Sequence, residues 1–134
     1  MLFRLSLIVS LGLAAPVFAG DAEKGEESFK KCKSCHSIIG PGGEAIVKGG
    51  KTGPNLFGIA GRAVASAEGF SYGDGILAAQ AAGIIWDEEN LTAYVSDPTA
   101  WLREVTEDDS VKSKMSFKLN KGADDIAAYL ASLN

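Results

Sequence analysis

Cys32-Lys33-Ser34-Cys35-His36 places both cysteines and the single histidine of a 134-residue chain in five consecutive positions. Several chemistries compete for two thiols so placed. A zinc site wants four nitrogen or sulfur ligands, and the sequence offers no second Cys or His pair to complete one. A reactive dithiol belongs in a βαβ setting, which the helix-and-loop pattern of this chain does not supply. A plain disulfide is the remaining alternative in an oxidising compartment. Covalent haem attachment accounts for all three residues. Two thiols on one side of a helical turn reach the two vinyl groups, and adjacency to Cys35 carries the His36 ring to the proximal side of the porphyrin.

Residues 1–19 read as a secretory signal peptide, with Arg4 ahead of an apolar run from Leu5 to Ala15 and the small-residue site Val17-Phe18-Ala19 at its end. An uncleaved anchor is the alternative, although the run falls short of the roughly 20 apolar residues that span a bilayer. Either way the chain is expected in the periplasm, and no later stretch is apolar enough to cross a membrane. Residues 20–134 make one domain. A core that small gains stability from a large buried apolar cofactor.

Periodicity divides this domain into helices and loops. Ala22, Gly25, Phe29 and Cys32 recur at spacings of three and four, predicting a helix over Asp21 to Lys33. Ile38 to Pro54 is rich in Gly, Lys and Pro without a sustained period and reads as loop. Gly58 to Gly75 continues irregularly, and Ile76 to Ala82 predicts a short helix ending at Gly83. Asp87-Glu88-Glu89 opens a further helix with inner stripe Leu91, Tyr94 and Val95, stopped by Asp97-Pro98. A helical stretch follows over Thr99 to Glu104, then an extended loop over Ser110 to Leu119. The last helix, about Ala123 to Leu133, lines up Ile126, Tyr129, Leu130 and Leu133 on one face.

A haem at His36 needs a sixth ligand, and elimination supplies one. Beyond the signal segment Met115 is the sole methionine, and no second histidine or free cysteine remains. A lone Met is more often a core filler, but Met115 sits among Lys112, Ser113, Lys114, Ser116 and Lys118, where no helical stripe would bury it. His/Met ligation fills both axial positions, and the soft thioether favours ferrous iron. That describes an electron carrier rather than an enzyme. A haem enzyme or ligand sensor, which needs an open sixth position, and a haem-free zinc or disulfide module are the readings of other classes.

Charge is unevenly spread. Segments Ser28 to Lys51 and Ser110 to Gly122, which hold the candidate haem-binding residues, contain nine lysines and one acid, Glu44. The rest of the domain sets Lys24, Arg62 and Arg103 against sixteen Asp and Glu. If the lysine-rich segments flank the haem edge, the resulting dipole turns that edge toward acidic docking sites; solvated lysines without a partner role are the alternative. An exported acidic chain is not expected to bind nucleic acid.

By residue type alone, Trp86 and Tyr94 also suit a core, Arg62 a surface and Pro54 a turn. In sequence order, however, the chain resembles the class I cytochromes c, above all the long cytochrome c2 type of alphaproteobacteria. The resemblance rests on Cys32 to His36, Lys51-Thr52-Gly53-Pro54-Asn55-Leu56, Gly61-Arg62, Gly69-Phe70-Ser71-Tyr72, Ile85-Trp86, Tyr94, Lys114-Met115-Ser116-Phe117 and Ala128-Tyr129-Leu130. It implies an all-α fold of helices and long loops wrapped around one covalently attached haem c.

The same resemblance implies roles. Pro54 would accept the second ring N–H of His36 through its carbonyl. Arg62, Tyr72 and Trp86 would bond or shield the haem propionates. Tyr94 and Ser113 would lie near the Met115 sulfur, Phe117 beside the haem edge, and Gly25, Phe29, Ile126 and Tyr129 at the crossing of the first and last helices. It implies a monomer that takes electrons from a cytochrome bc1-type complex and gives them to a photosynthetic reaction centre or terminal oxidase. Ile76 stands where mitochondrial relatives usually carry a polar residue, so their internal water network does not transfer.

Overall fold

The computed structural model describes Gly12 and residues 20–134, so the expected signal segment lies outside the described residues. Asp21 starts the first helix by accepting hydrogen bonds from Glu23 N at 3.0 Å and Lys24 N at 3.2 Å, satisfying amides that have no partner inside the helix. Helix α1 spans Ala22–Ser28 and tightens into a 3-10 turn over Phe29–Lys31. The predicted helix to Lys33 therefore ends in a tighter turn, as helix ends often do.

The last helix, α5 (Ala123–Ala131), crosses α1 at close range. A Cβ on Gly25 would overlap the Asp125 carbonyl and stand 2.7 Å from Tyr129 Cβ, so only glycine admits this approach. Phe29 meets Tyr129 edge to face at 5.7 Å. With Ile126 and Leu130 they form one buried apolar cluster.

Three helices complete the fold: α2 (Asp74–Ala81), α3 (Glu88–Ser96) and α4 (Pro98–Thr106). Helix α2 starts two residues before the expected Ile76, because its N-cap is Gly73, which has no side chain to announce a start. Helix α3 follows its sequence signals, with Asp87 Oδ1 accepting from Asn90 N at 2.7 Å.

Asp97 serves two helices at once. Its N–H closes α3 on the Ala93 carbonyl at 3.2 Å, and its carboxylate opens α4 by accepting from Ala100 N at 3.1 Å. Helix α4 begins at Pro98, favoured in a first turn, and runs past the expected Glu104 to Thr106, where Glu107 adopts a left-handed φ of 54°. Trp86, Leu91, Trp101 and Leu102 form the second buried cluster, between α2, α3 and α4.

Within the expected loop the structure adds a short antiparallel ladder, β1 (Ile38–Ile39) with β2 (Ala45–Val47), turned at Gly43 with φ +86°. Strands of two and three residues are too short to leave an alternating pattern in sequence. Apart from this ladder the fold is helical, as expected. Among the described residues no helix is long and apolar enough to cross a membrane.

Candidate haem site

The Cys-His motif folds as one turn continuing the 3-10 segment. Cys32 N bonds to the Phe29 carbonyl at 2.8 Å, and Cys35 N and His36 N both bond to the Cys32 carbonyl, at 3.1 and 3.0 Å. The two thiols are not joined to each other, Cys32 being half-buried and Cys35 exposed. Burial pushes the Cys32 thiol pKa up, with Lys31 opposing.

His36 Nδ1 lies 2.8 Å from the Pro54 carbonyl oxygen. A carbonyl can only accept, so the ring carries its proton on Nδ1 and leaves the Nε2 lone pair free to bind a metal. Burial holds the imidazole pKa below its ordinary value, against the contrary pull of the Pro54 bond, so the ring is neutral at neutral pH.

Loop 49–54 is laid backbone to backbone against this motif. Gly50 N donates to the Lys33 carbonyl at 2.9 Å and Gly53 N to the Cys35 carbonyl at 2.8 Å. Ser37 Oγ spans the gap, donating to the Gly50 carbonyl at 3.1 Å and accepting from Gly49 N at 3.2 Å. Cβ atoms on Gly49 or Gly50 would strike the carbonyls of His36 or Ser34, and one on Gly53 would overlap the imidazole. Sequence reasoning places Gly49 and Gly50 only in a loop and quotes Gly53 only within the Lys51 to Leu56 marker; the signal for their close approach to the motif is three glycines within five residues just before Pro54.

Met115 lies in the extended segment between α4 and α5. Its N–H donates to Ser113 Oγ at 3.0 Å, and that hydroxyl is 3.2 Å from Tyr94 Oη on α3. Ser113 N is anchored to Thr99 Oγ1 at 3.0 Å. Burial raises the Tyr94 pKa, the Ser113 bond opposing, so the side chain remains a phenol at neutral pH.

Cys32, Cys35, His36, Pro54, Tyr94, Ser113 and Met115 all line one cavity of about 590 Å³. Tyr72, Trp86, Ile76 and Phe117 share that lining. Tyr72 Oη accepts from Ala67 N at 3.0 Å, which leaves its own hydrogen free to donate. Arg62 is the exception: it does not line the large cavity but faces a water-sized one of about 10 Å³ beside Tyr72 and Trp86, and its Nη2 donates to the Phe57 carbonyl at 2.6 Å. Lys31, Lys112 and Lys114 are exposed and border the large cavity.

The cavity lies in the size range of cofactor sites. Leu56, Ile59, Leu91, Val95, Ile126 and Leu130 give it apolar walls. Its donors are a neutral imidazole with a free Nε2, a thioether and two thiols, a set suited to haem iron and its covalent tethers. The residues fit a haem.

No family model matches the chain. It is 55% identical to cytochrome c2 of Rhodobacter capsulatus over 126 residues, covering 94% of this chain and 92% of that one. To cytochrome c-550 of Paracoccus versutus it is 53% identical over 128 residues, covering 92% and 83%. The solved structure of the Rhodobacter capsulatus cytochrome c2 superposes with a TM-score of 0.83, covering 84% of this chain and 97% of that one.

Fold and site together define a class I c-type cytochrome. Within that class the chain belongs to the cytochrome c2 family of alphaproteobacteria, which includes the c-550 proteins. It carries one covalently attached haem c and is an electron carrier, not an enzyme.

Proposed function

We propose that this cytochrome shuttles single electrons in the periplasm, from a cytochrome bc1-type complex to a photosynthetic reaction centre or terminal oxidase. In this reading residues 1–19 direct export and are removed, residues 20–134 form the working domain, Cys32 and Cys35 form the thioethers, and His36 and Met115 are the axial ligands. The bound haem supplies a ferric/ferrous couple.

The observation that carries the ligand assignment is the His36 Nδ1 to Pro54 bond of 2.8 Å in a cavity that Met115 also lines. The bond fixes the tautomer and strengthens Nε2 as a donor. Ser113 and Tyr94 fix the Met115 backbone from the other side. The free Tyr72 hydrogen and the indole of Trp86 serve the propionates; Arg62, bonded to the Phe57 carbonyl behind them, acts there through charge.

The docking face is the lysine-rich rim. Lys31, Lys112 and Lys114 border the cavity on a chain of net charge −4, so the edge through which electrons pass is locally positive. Acidic partner surfaces would be met edge first, by a monomer, in short-lived complexes.

Visible spectra of the purified holoprotein test the ligand assignment. The reduced form is expected to show a c-type spectrum and the oxidised form the weak far-red band of sulfur-to-iron coordination. Met115→Ala is expected to abolish that band, lower the reduction potential and admit carbon monoxide to the ferrous protein. Unchanged spectrum and potential in that variant would remove Met115 from the iron.

A further inference from the structure

Behind the cofactor cavity stands a second layer of aromatic side chains. Trp86 and Tyr94 line the cavity and meet edge to face at 5.1 Å. Both rest on Trp101, which does not reach the cavity: Trp86 stacks on it at 5.0 Å with planes 22° apart, and Tyr94 meets it edge-on at 5.5 Å. Trp101 is 4% exposed on α4.

A polar clamp fixes the indole. Trp101 Nε1 donates to Asn90 Oδ1 at 3.3 Å, and the Asn90 amide donates to the Ile85 carbonyl at 2.9 Å. Asn90 thus ties α4, α3 and the peptide leading directly into Trp86.

We propose that Trp101, locked by Asn90, is a positioning residue for the haem environment. It acts through Trp86 and Tyr94, holding the wall dry and keeping the Tyr94 hydroxyl on Ser113, which in turn bonds Met115 N. Removing the indole leaves a void into which the two rings relax, because close-packed interiors do not hold side chains in place across empty space. The Tyr94–Ser113 bond is then lost, water enters, and the extra charge of ferric iron is better solvated. The inference rests on the axial-ligand reading given under Proposed function.

The test uses the haem-loaded full chain with Trp101→Leu, Trp101→Phe, Asn90→Ala and, as control, Leu102→Ala. Leu102 is fully buried on the same helix and is not part of the cavity lining. Three properties are followed: the reduction potential, the Tyr94 ring-flip rate by proton NMR of the ferrous protein, and the unfolding midpoint. Trp101→Leu and Asn90→Ala are expected to shift the potential downward and speed the ring flip, Trp101→Phe to recover most of both, and Leu102→Ala to lower the midpoint with the potential unmoved.

An unmoved potential in Trp101→Leu, or an equal shift in Leu102→Ala, would overturn the proposal. Should Trp101→Leu fail to fold, Asn90→Ala decides alone, since it cuts the clamp and removes none of the three rings. A wild-type protein without the far-red band refutes the ligand reading itself, whereas the band together with a potential indifferent to Trp101 and Asn90 refutes the positioning role only.

Discussion

Gly53 lies so close to His36 that a methyl group on its Cα would overlap the imidazole ring. The loop therefore holds the ring by contact as well as through the neighbouring Pro54 carbonyl. Gly53→Ala is expected to force the ring or the loop aside and to destabilise the holoprotein by about 1–3 kcal/mol, the usual cost of overpacking. Denaturant unfolding measures the loss. A variant as stable as wild type would show that the ring has room to move.

Asp97 predicts a pH dependence. Its carboxyl pKa is held below the ordinary carboxylate value, first by the hydrogen bond from Ala100 N and then by Lys118, whose Nζ lies 3.0 Å from Oδ2. A depressed folded pKa means that this contribution is present above pH 3.8 and is lost as pH falls through the lower, folded value. Asp97→Ala should lower the unfolding midpoint at pH 7 and flatten its acid limb. Asp97→Asn, which still caps α4, should flatten the limb with a smaller loss at pH 7. Thermal melts between pH 2 and 7 check both, and an equal loss in the two variants would show that the cap matters little.

Glu107 closes α4 in the left-handed region that side chains disfavour, and it is exposed. Glu107→Gly removes a local strain of about 1–2 kcal/mol, of which about half is returned by the freer unfolded chain. The net expectation is a gain of about 0.5–1 kcal/mol with no change in reduction potential. Chemical denaturation read beside a redox titration measures both.

The lysine rim should be detectable without a protein partner. Although the chain is acidic overall, its oxidation by a small anionic complex such as ferricyanide is expected to slow severalfold as salt rises, because the local field around the cavity and not the net charge governs approach. Lys114→Glu should reduce both the low-salt rate and its salt dependence. Stopped-flow rates that rise with salt would place the acidic surface, instead of the lysines, at the electron-transfer edge.

The chemistry was legible in sequence because it is concentrated in rare residues. Both cysteines and the histidine share one turn, and elimination pointed to Met115, which the fold brings to the same cavity. Helix α3 was legible because its ends are written in side chains, Asp87 at the start and Asp97-Pro98 at the stop. Where glycine does the work the signal weakens. Gly73 caps α2 with no side-chain bond, and Gly49, Gly50 and Gly53 act by lacking a Cβ, which marks a loop without saying what the loop touches. The Trp101 contacts are not legible because they depend on how α3 and α4 pack around Trp86 and Tyr94, and the bond from Arg62 to the Phe57 carbonyl depends on a loop conformation that no side-chain pattern announces.

The strand of chain bearing Met115 takes its shape from elsewhere. Val111 O accepts from Arg103 Nε, Ser113 N donates to Thr99 Oγ1, Lys118 pairs with Asp97, and Leu119 N reaches the Val95 carbonyl. Every one of these moorings lies on α3, α4 or the Asp97 corner between them. Loosening that corner would cast off the whole span at once, so its amides and those of the corner should exchange with solvent through one shared opening. A coordinating thioether would then come and go at the tempo of a helix junction some twenty residues upstream.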